Sequence, residues 1–389
     1  MLKSQYFNIC EDEKNNFENK FGTLKIEYLN VLKNYNYKDM RNMMRKHNVL
    51  IVNTIKKVLK HFPEFNEIKH LSLLTGSLAR GTNLLYSDID ISIMYENKYR
   101  EKYLKVEDLL SYMLTDIFSF RGRDRIHGIT YYLPKVSNIM QDEIINNKYK
   151  LYFDDGKFEY KVRENAYDTM DTIWNASRSV DDLENYLINN QTTFKEWADV
   201  YEPLEKNVEY DEFNKKIMSS QLEKIKECNF YAYKNKFIYN LENQQCYELG
   251  DTLEIRMLKK IYKIKLLDNI YDFMTYLYKL AVYKNLEIDT LNFEKMQNHK
   301  ILEKLNVEEK ILDDIYYMFC LITKLQYILN IQGLDLSKHS TKKISYDKIR
   351  SYSKNIFNDN DLIKEIEEEK NKLYENMANI LRELRWEIK

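Results

Sequence analysis

The sequence predicts an α+β fold: a small mixed β-sheet with flanking helices, followed by an all-α helical domain. Two observations carry this. The segments that read as strands all fall before about residue 165. From about residue 166 the apolar residues instead recur at three- and four-residue spacing, the period of a helix with one buried face. The length of 389 residues suits more than one domain, and the division expected is 1–165 and 166–389, with the helical part forming the second wall of a cleft.

The elements follow in order. Residues 12 to 60 read as helix: Met40, Met43 and Met44 lead into Val49, Leu50, Val52, Ile55 and Val58, and Pro63 stops the run just after His61-Phe62. A first strand is expected at 70 to 75, then a turn and short helix at 76 to 83. A second strand is expected at 87 to 95 and a covering helix at 104 to 119. Residues 125 to 133 read as a third strand, ended by Pro134. A hairpin is expected at 149 to 163, because Tyr149, Leu151 and Phe153 enter Asp154-Asp155-Gly156 and Phe158, Tyr160 and Val162 leave it. Helices are expected around Leu266 to Leu280 and Ile311 to Leu325, and again in the charged tail from Ile363. No internal repeat and no Pro/Gly/Ser linker is present.

Composition narrows the classes. With 44% hydrophobic residues the chain can bury true cores. With a net charge of −1 it is not a polybasic nucleic-acid binder as a whole. The richness in Lys, Asn, Ile and Tyr has the look of an A+T-rich genome, so the 33 tyrosines are not read as a base-stacking platform. Cys10, Cys228, Cys246 and Cys320 form no Cys-x-x-Cys pair, and the histidines show no zinc spacing. No apolar run approaches the length of a membrane span, and the first residues lack a signal-peptide core. A cytoplasmic protein without a membrane partner is expected.

The most informative stretch is Gly76-Ser77-Leu78-Ala79-Arg80-Gly81-Thr82, followed by Ser87-Asp88-Ile89-Asp90-Ile91. In an extended strand Asp88 and Asp90 share one face, while Ile89, Ile91 and Ile93 share the other. Two carboxylates side by side repel unless a cation lies between them, and oxygen-only ligands suit Mg²⁺. A Gly-Ser turn supplies backbone N–H groups and a hydroxyl for a phosphate. Two of only eight glycines, Gly76 and Gly81, fall in this loop, which argues for a backbone need there. Arg80, one helical turn past Gly76, has the reach to grip a triphosphate with its fork of donors. Ser87 reads as a structural hydroxyl orienting the loop.

These residues resemble the nucleotidyltransferase superfamily with the DNA polymerase β-like fold. Its signature is Gly-Ser, a short helix, then Asp-x-Asp on a strand, and Gly76, Ser77, Asp88 and Asp90 match it position for position. The resemblance implies attack by an acceptor on the α-phosphorus of a nucleoside triphosphate, with pyrophosphate leaving. It implies Asp88 and Asp90 as catalytic residues and ligands of Mg²⁺ (or Mn²⁺), and Gly76, Ser77 and Arg80 as nucleotide and phosphate contacts. A third carboxylate is common in the superfamily. Asp124, Asp154, Asp155 and Glu159 are the acids available for it, and His127 is a weak base on the third strand. Asp155-Gly156 is more simply a turn.

In layout the chain looks most like the protein-PII uridylyltransferase group. That group places a helix before the catalytic strand, a Gly-His element after it and a helical domain behind. Here the order is His127-Gly128, and the helix 171–180 (Asp-Thr-Ile-Trp-Asn-Ala-Ser-Arg-Ser-Val) resembles the group's next helix. The group's Gly-Gly-Leu-Arg-Asp segment is matched only by a degenerate form at Leu253 to Lys259, without the glycines. Its metal-dependent hydrolase and ligand-sensing domains are not expected after residue 340. The reading is therefore transfer of a nucleoside monophosphate to a protein or small molecule. The alternatives are an RNA-terminal nucleotidyltransferase or poly(A) polymerase, with Lys57, Lys60, Arg121, Arg123 and Arg125 as basic-channel residues, a cyclic-oligonucleotide synthase, and an inactive binding module. Base and acceptor carry no label in the sequence.

Overall fold

Two long helices open the chain, α1 (Lys3–Lys33) and α2 (Tyr37–Lys60). Asn36 divides them: its extended backbone breaks the helix, and its side chain accepts the amides of Lys38 and Asp39 at the start of α2. In this computed structural model the described residues are 3–63, 70–74, 76–87, 89, 91–95, 110, 113–114, 116–118, 150–152, 159–161, 202–203, 230–243, 251–284, 301–334 and 341–384. The periodicity expected for 12–60 is realised. The buried stripe of α2 is Met40, Met43, Met44, His47, Ile51, Thr54, Ile55 and Val58, and the helix ends at the His61 cap before Pro63.

The sheet that follows is small. Strand β1 (His70–Leu74) lies between β2 (Ile91–Tyr95) and β5 (Glu202–Pro203), so the order is β2-β1-β5. Both pairings are antiparallel, with Ser72 opposite Ile93 and Leu74 opposite Glu202. Helix α3 (Gly76–Arg80) leaves the end of β1. The hairpin foreseen at 149–163 is present as β3 (Lys150–Tyr152) and β4 (Glu159–Lys161), with Leu151 opposite Tyr160. Its turn, Asp154-Asp155-Gly156, lies outside the described residues. So do the expected third strand at 125–133 and the helix at 171–180. Helical residues at Leu110, Met113, Leu114 and 116–118 fall within the covering helix expected at 104–119. They pack on α1, where Phe118 meets Phe17 edge to face at 4.9 Å and Asp116 pairs with Lys14 at 3.0 Å.

The remainder is helical, as the periodicity predicts. It comprises α4 (Phe230–Glu242), α5 (Ile255–Leu258), a π-helical stretch (Lys259–Lys265), α6 (Leu266–Tyr283), α7 (Ile301–Lys304), α8 (Lys310–Ile331), α9 (Tyr346–Phe357) and α10 (Leu362–Glu383). Three short described strands depart from the all-helical expectation: β5 joins the sheet of β1, and β6 (Thr252–Glu254) pairs antiparallel with β7 (Lys343–Ser345). The degenerate Leu253 to Lys259 segment thus begins in β6, where Glu254 accepts from Arg256 at 2.5 Å. No described helix is long and apolar enough to cross a membrane.

Helix α8 is buried along most of its length from Ile311 to Leu329, with Asp313 left exposed. The N-terminal helices cover it from one side. Tyr35 stacks near Tyr317 at 4.7 Å, Tyr37 meets Tyr316 at 5.2 Å, and the Tyr35 hydroxyl donates to Asp313 at 2.7 Å. Helices α9 and α10 cover the other sides. Lys324, buried within α8, reaches Asp359 at 3.6 Å and lies over the Phe357 ring.

Asp361 caps α10. It accepts the Lys364 amide at 3.2 Å, the Tyr346 hydroxyl at 2.6 Å and the Arg350 guanidinium at 2.7 Å. Burial alone raises its carboxyl pKa, but Arg350, Tyr346 and the Lys364 amide outweigh it and hold the pKa below the ordinary carboxylate value. A carboxylate depressed on folding stabilises above its unfolded pKa, and that contribution is lost as pH falls through the folded one. Asp361→Ala should therefore cost about 1 kcal/mol near neutrality through the lost cap. In acid melts below the ordinary carboxylate range the gap between the variant and the native protein should close.

Candidate active site

The loop after β1 is tied to itself at both ends. The Gly81 amide donates to the Leu78 carbonyl at 3.2 Å and the Thr82 amide to the Ser77 carbonyl at 2.9 Å. This pair of bonds closes the C-terminus of α3 in a Schellman motif, which requires a left-handed residue at the first position past the helix. Gly81 fills it with φ of 74°. The concentration of glycine read from the sequence thus has its cause, for Gly81, in the backbone. Leu78 is buried beneath the helix, and Leu84, Leu85, Tyr86 and Ile89 anchor the segment that follows.

Side chains complete the ties. Asn83, fully buried, donates its amide to the Ser77 hydroxyl oxygen at 3.1 Å. A hydroxyl that accepts in this way keeps its own hydrogen to donate elsewhere, so Ser77 presents a donor at the mouth of the loop. Ser87 accepts the Leu84 amide at 3.0 Å, which is the structural role expected of it. Strand β2 begins at Ile91, one residue beyond Asp90, and Ser87 and Ile89 are in neither helix nor strand.

Two cations steady this loop, Arg80 of its own α3 and Lys25 from another part of the chain. The Arg80 guanidinium lies over the ring of Tyr271 on α6, 4.2 Å from its centroid. Lys25 of α1 lies between Tyr86 at 5.9 Å and Tyr327 of α8 at 5.5 Å. Burial lowers the Lys25 pKa. Burial raises that of the Tyr271 phenol, while Arg80 and a hydrogen bond with Thr82 pull it back. The loop is therefore gripped by α1 on one hand and by the helical half on the other.

Gly76, Ser77 and Arg80 stand together on α3. Asp88 and Asp90 lie outside the described residues, as do Asp124, His127, Asp154, Asp155, Arg121, Arg123 and Arg125. Glu159 is on β4, in a hairpin that has no pairing with the β2-β1-β5 sheet among the described residues. Sequence reasoning did not single out Thr82 as a contact, nor Asn83, Lys25 and Tyr271. Tyr271 had one visible signal: it falls off the stripe of Leu266, Ile270, Phe273, Met274 and Leu277 that the period of α6 buries.

Residues 55–146 match the family described as nucleotidyltransferase domain. That span contains β1, α3, the loop and β2. The class follows: the chain carries the domain of a nucleotidyltransferase enzyme, with a nucleoside triphosphate as substrate, in an α+β fold with a helical part. Domains of this kind generally use divalent metal ions. Compared with curated proteins, the chain has no match.

Because the Schellman closure depends on a left-handed residue, Gly81→Val should strain the loop by roughly 1–2 kcal/mol. Gly81→Asn should be tolerated better, since Asn enters that region more readily. The sensitive readout is hydrogen exchange of the Thr82 amide, which should speed up by about 5–30-fold in Gly81→Val and little in Gly81→Asn.

Proposed function

We propose that the protein transfers a nucleoside monophosphate from a nucleoside triphosphate to a protein or small-molecule acceptor. The acceptor oxygen bonds to the α-phosphorus, the bond from that phosphorus to the bridging oxygen breaks, and pyrophosphate leaves. The observation that carries this is the Gly76–Ser87 loop. It is fixed by its own backbone, holds the Ser77 hydroxyl in place through Asn83, and opens within the span of the family match.

Ser77 and the Gly76-Ser77 amides would hold the β- or γ-phosphate, and Arg80 would add in-plane N–H donors to the triphosphate oxygens. Asp88 and Asp90 would hold Mg²⁺ (or Mn²⁺). The donor set fits, since it is two carboxylates at alternate positions with oxygen as the only donor. Ile89, between them, is fully buried although it lies outside β2. A divalent cation bound there neutralises triphosphate charge and makes the acceptor hydroxyl more acidic. Most of the remaining work is positioning, for which a rigid loop is suited.

The division proposed is a catalytic part at 1–165 and a helical part at 166–389, which meet where Tyr271 of α6 lies against Arg80 of α3 and share one apolar core. The order of a helix, the Gly-Ser loop and a helical half supports a relation to the uridylyltransferase-like group. The abundance of nucleoside triphosphates and Mg²⁺ there makes the cytoplasm the natural setting.

Incubation with each α-labelled nucleoside triphosphate, Mg²⁺ and cell extract, followed by separation of protein, RNA and small molecules, tests the reading. Label should enter the protein or small-molecule fraction. Asp88→Asn/Asp90→Asn should lower it by roughly 10²-fold or more, the scale expected when charge stabilisation at the reacting phosphate is lost. Equal labelling by both proteins, or none by either, would sink the proposal.

One observation favours RNA as the acceptor instead. The outer face of α2 exposes Lys38, Arg45, Lys46, Lys57 and Lys60 against Asp39 alone, on a chain whose net charge is −1. Lys46 is partly neutralised by Glu27 at 2.7 Å. If RNA lies on this face, Lys57→Gln/Lys60→Gln should make the log-log salt slope of single-stranded RNA binding shallower by about 1.4, or about 0.7 for each lost phosphate contact. A binding curve indifferent to salt would remove this second reading.

A further inference from the structure

Helix α3 has only five residues, and Arg80 is its last. A single short turn gives no support to a long side chain with many rotamers, so something else must fix where the guanidinium points. That support comes from a residue far along the chain. Tyr271, near the start of α6, lies face-on to Arg80 at 4.2 Å. Its hydroxyl also shares a hydrogen bond with Thr82, two residues past Arg80. The two polar members of the Arg80-Gly81-Thr82 corner therefore meet one tyrosine.

We propose that Tyr271 is the positioning residue for Arg80, stacking beneath the guanidinium so that its in-plane N–H donors face the triphosphate. The inference rests on the triphosphate reading of the loop and adds a residue from the helical half to it. Stacking engages the flat face of the guanidinium, while the fork that recognises phosphate lies in its plane, so both contacts are compatible. The ring packs at the edge of the core and also meets Arg80. Ile270, Phe273, Met274 and Leu277 are buried in that core, whereas Tyr271 is half-buried. The π-helical stretch Lys259–Lys265 runs directly into α6, and its extra residue in the turn helps set which face of α6 meets the loop.

The test uses the full chain and Mg²⁺ with inorganic tripolyphosphate, a probe that needs no knowledge of the base. Calorimetric affinities are compared for the native protein, Tyr271→Phe, Tyr271→Leu, Arg80→Met and Arg80→Met/Tyr271→Leu. Tyr271→Leu should weaken binding by roughly three- to tenfold, the range of a partly desolvated cation–π contact. Tyr271→Phe keeps the ring but loses the hydroxyl that bonds Thr82 and Arg80, and should fall between the native protein and Tyr271→Leu. In the Arg80→Met background the Tyr271→Leu change should add nothing, because its effect passes through the guanidinium. With labelled triphosphate the loss should appear in KM and leave kcat little changed. Native affinity in Tyr271→Leu, or an equal loss with and without Arg80, overturns the positioning role while the triphosphate reading stands. Failure of the native protein to bind tripolyphosphate overturns both.

Discussion

A helix that is apolar around most of its circumference has to be surrounded, and in this protein α8 is that helix. Its burial recruits α1 and α2 from the beginning of the chain and α9 and α10 from its end. The described apolar side chains from Cys10 to Leu384 consequently form one continuous core. The cost of burying Lys324 in the same helix is offset locally, by Asp359 and the face of Phe357. The placement of the Gly76–Ser87 loop is tied to this arrangement. Lys25 touches Tyr86 only because α1 is held in place by α8, and the same lysine also leans on Tyr327 of α8 itself.

The loop adds a second constraint, this one in the backbone. Gly81 lets the chain reverse directly after α3, so Asn83 can turn back on Ser77 and Leu84 can meet Ser87. A loop closed by its own bonds needs little reorganisation when a ligand arrives, which suits the phosphate-binding role proposed for it. Among the described residues a small antiparallel sheet serves as the platform, and much of the loop is bonded to itself.

Much of this was legible in the sequence. The Met40 to Val58 period, the stop at Pro63, the hairpin around Asp154-Asp155-Gly156, and the stripes of α6 and α8 each have a repeat or turn chemistry that local reasoning detects. The Gly76 to Asp90 pattern was legible because residue type and spacing carry the chemistry. What stayed hidden is non-local or too short. β5 spans two residues and has no period to show. β6 and β7 are partners whose pairing, Leu253 with Ile344, crosses most of the helical half. The π-helical stretch has no compositional mark. Tyr271 looked like one more half-buried tyrosine among many, since its meaning comes only from meeting Arg80 in space.

The bond between Tyr35 and Asp313 spans 278 residues of chain. During synthesis α1 and α2 are made long before the helix that covers them. At typical elongation rates of about 5–20 residues per second, their shared apolar face would wait roughly 14–56 s for α8 to emerge. Closing so long a loop is entropically slow, and a bare apolar face invites other chains in the meantime. The architecture that steadies the Gly76–Ser87 loop in the finished protein therefore makes the nascent chain a natural client for chaperones.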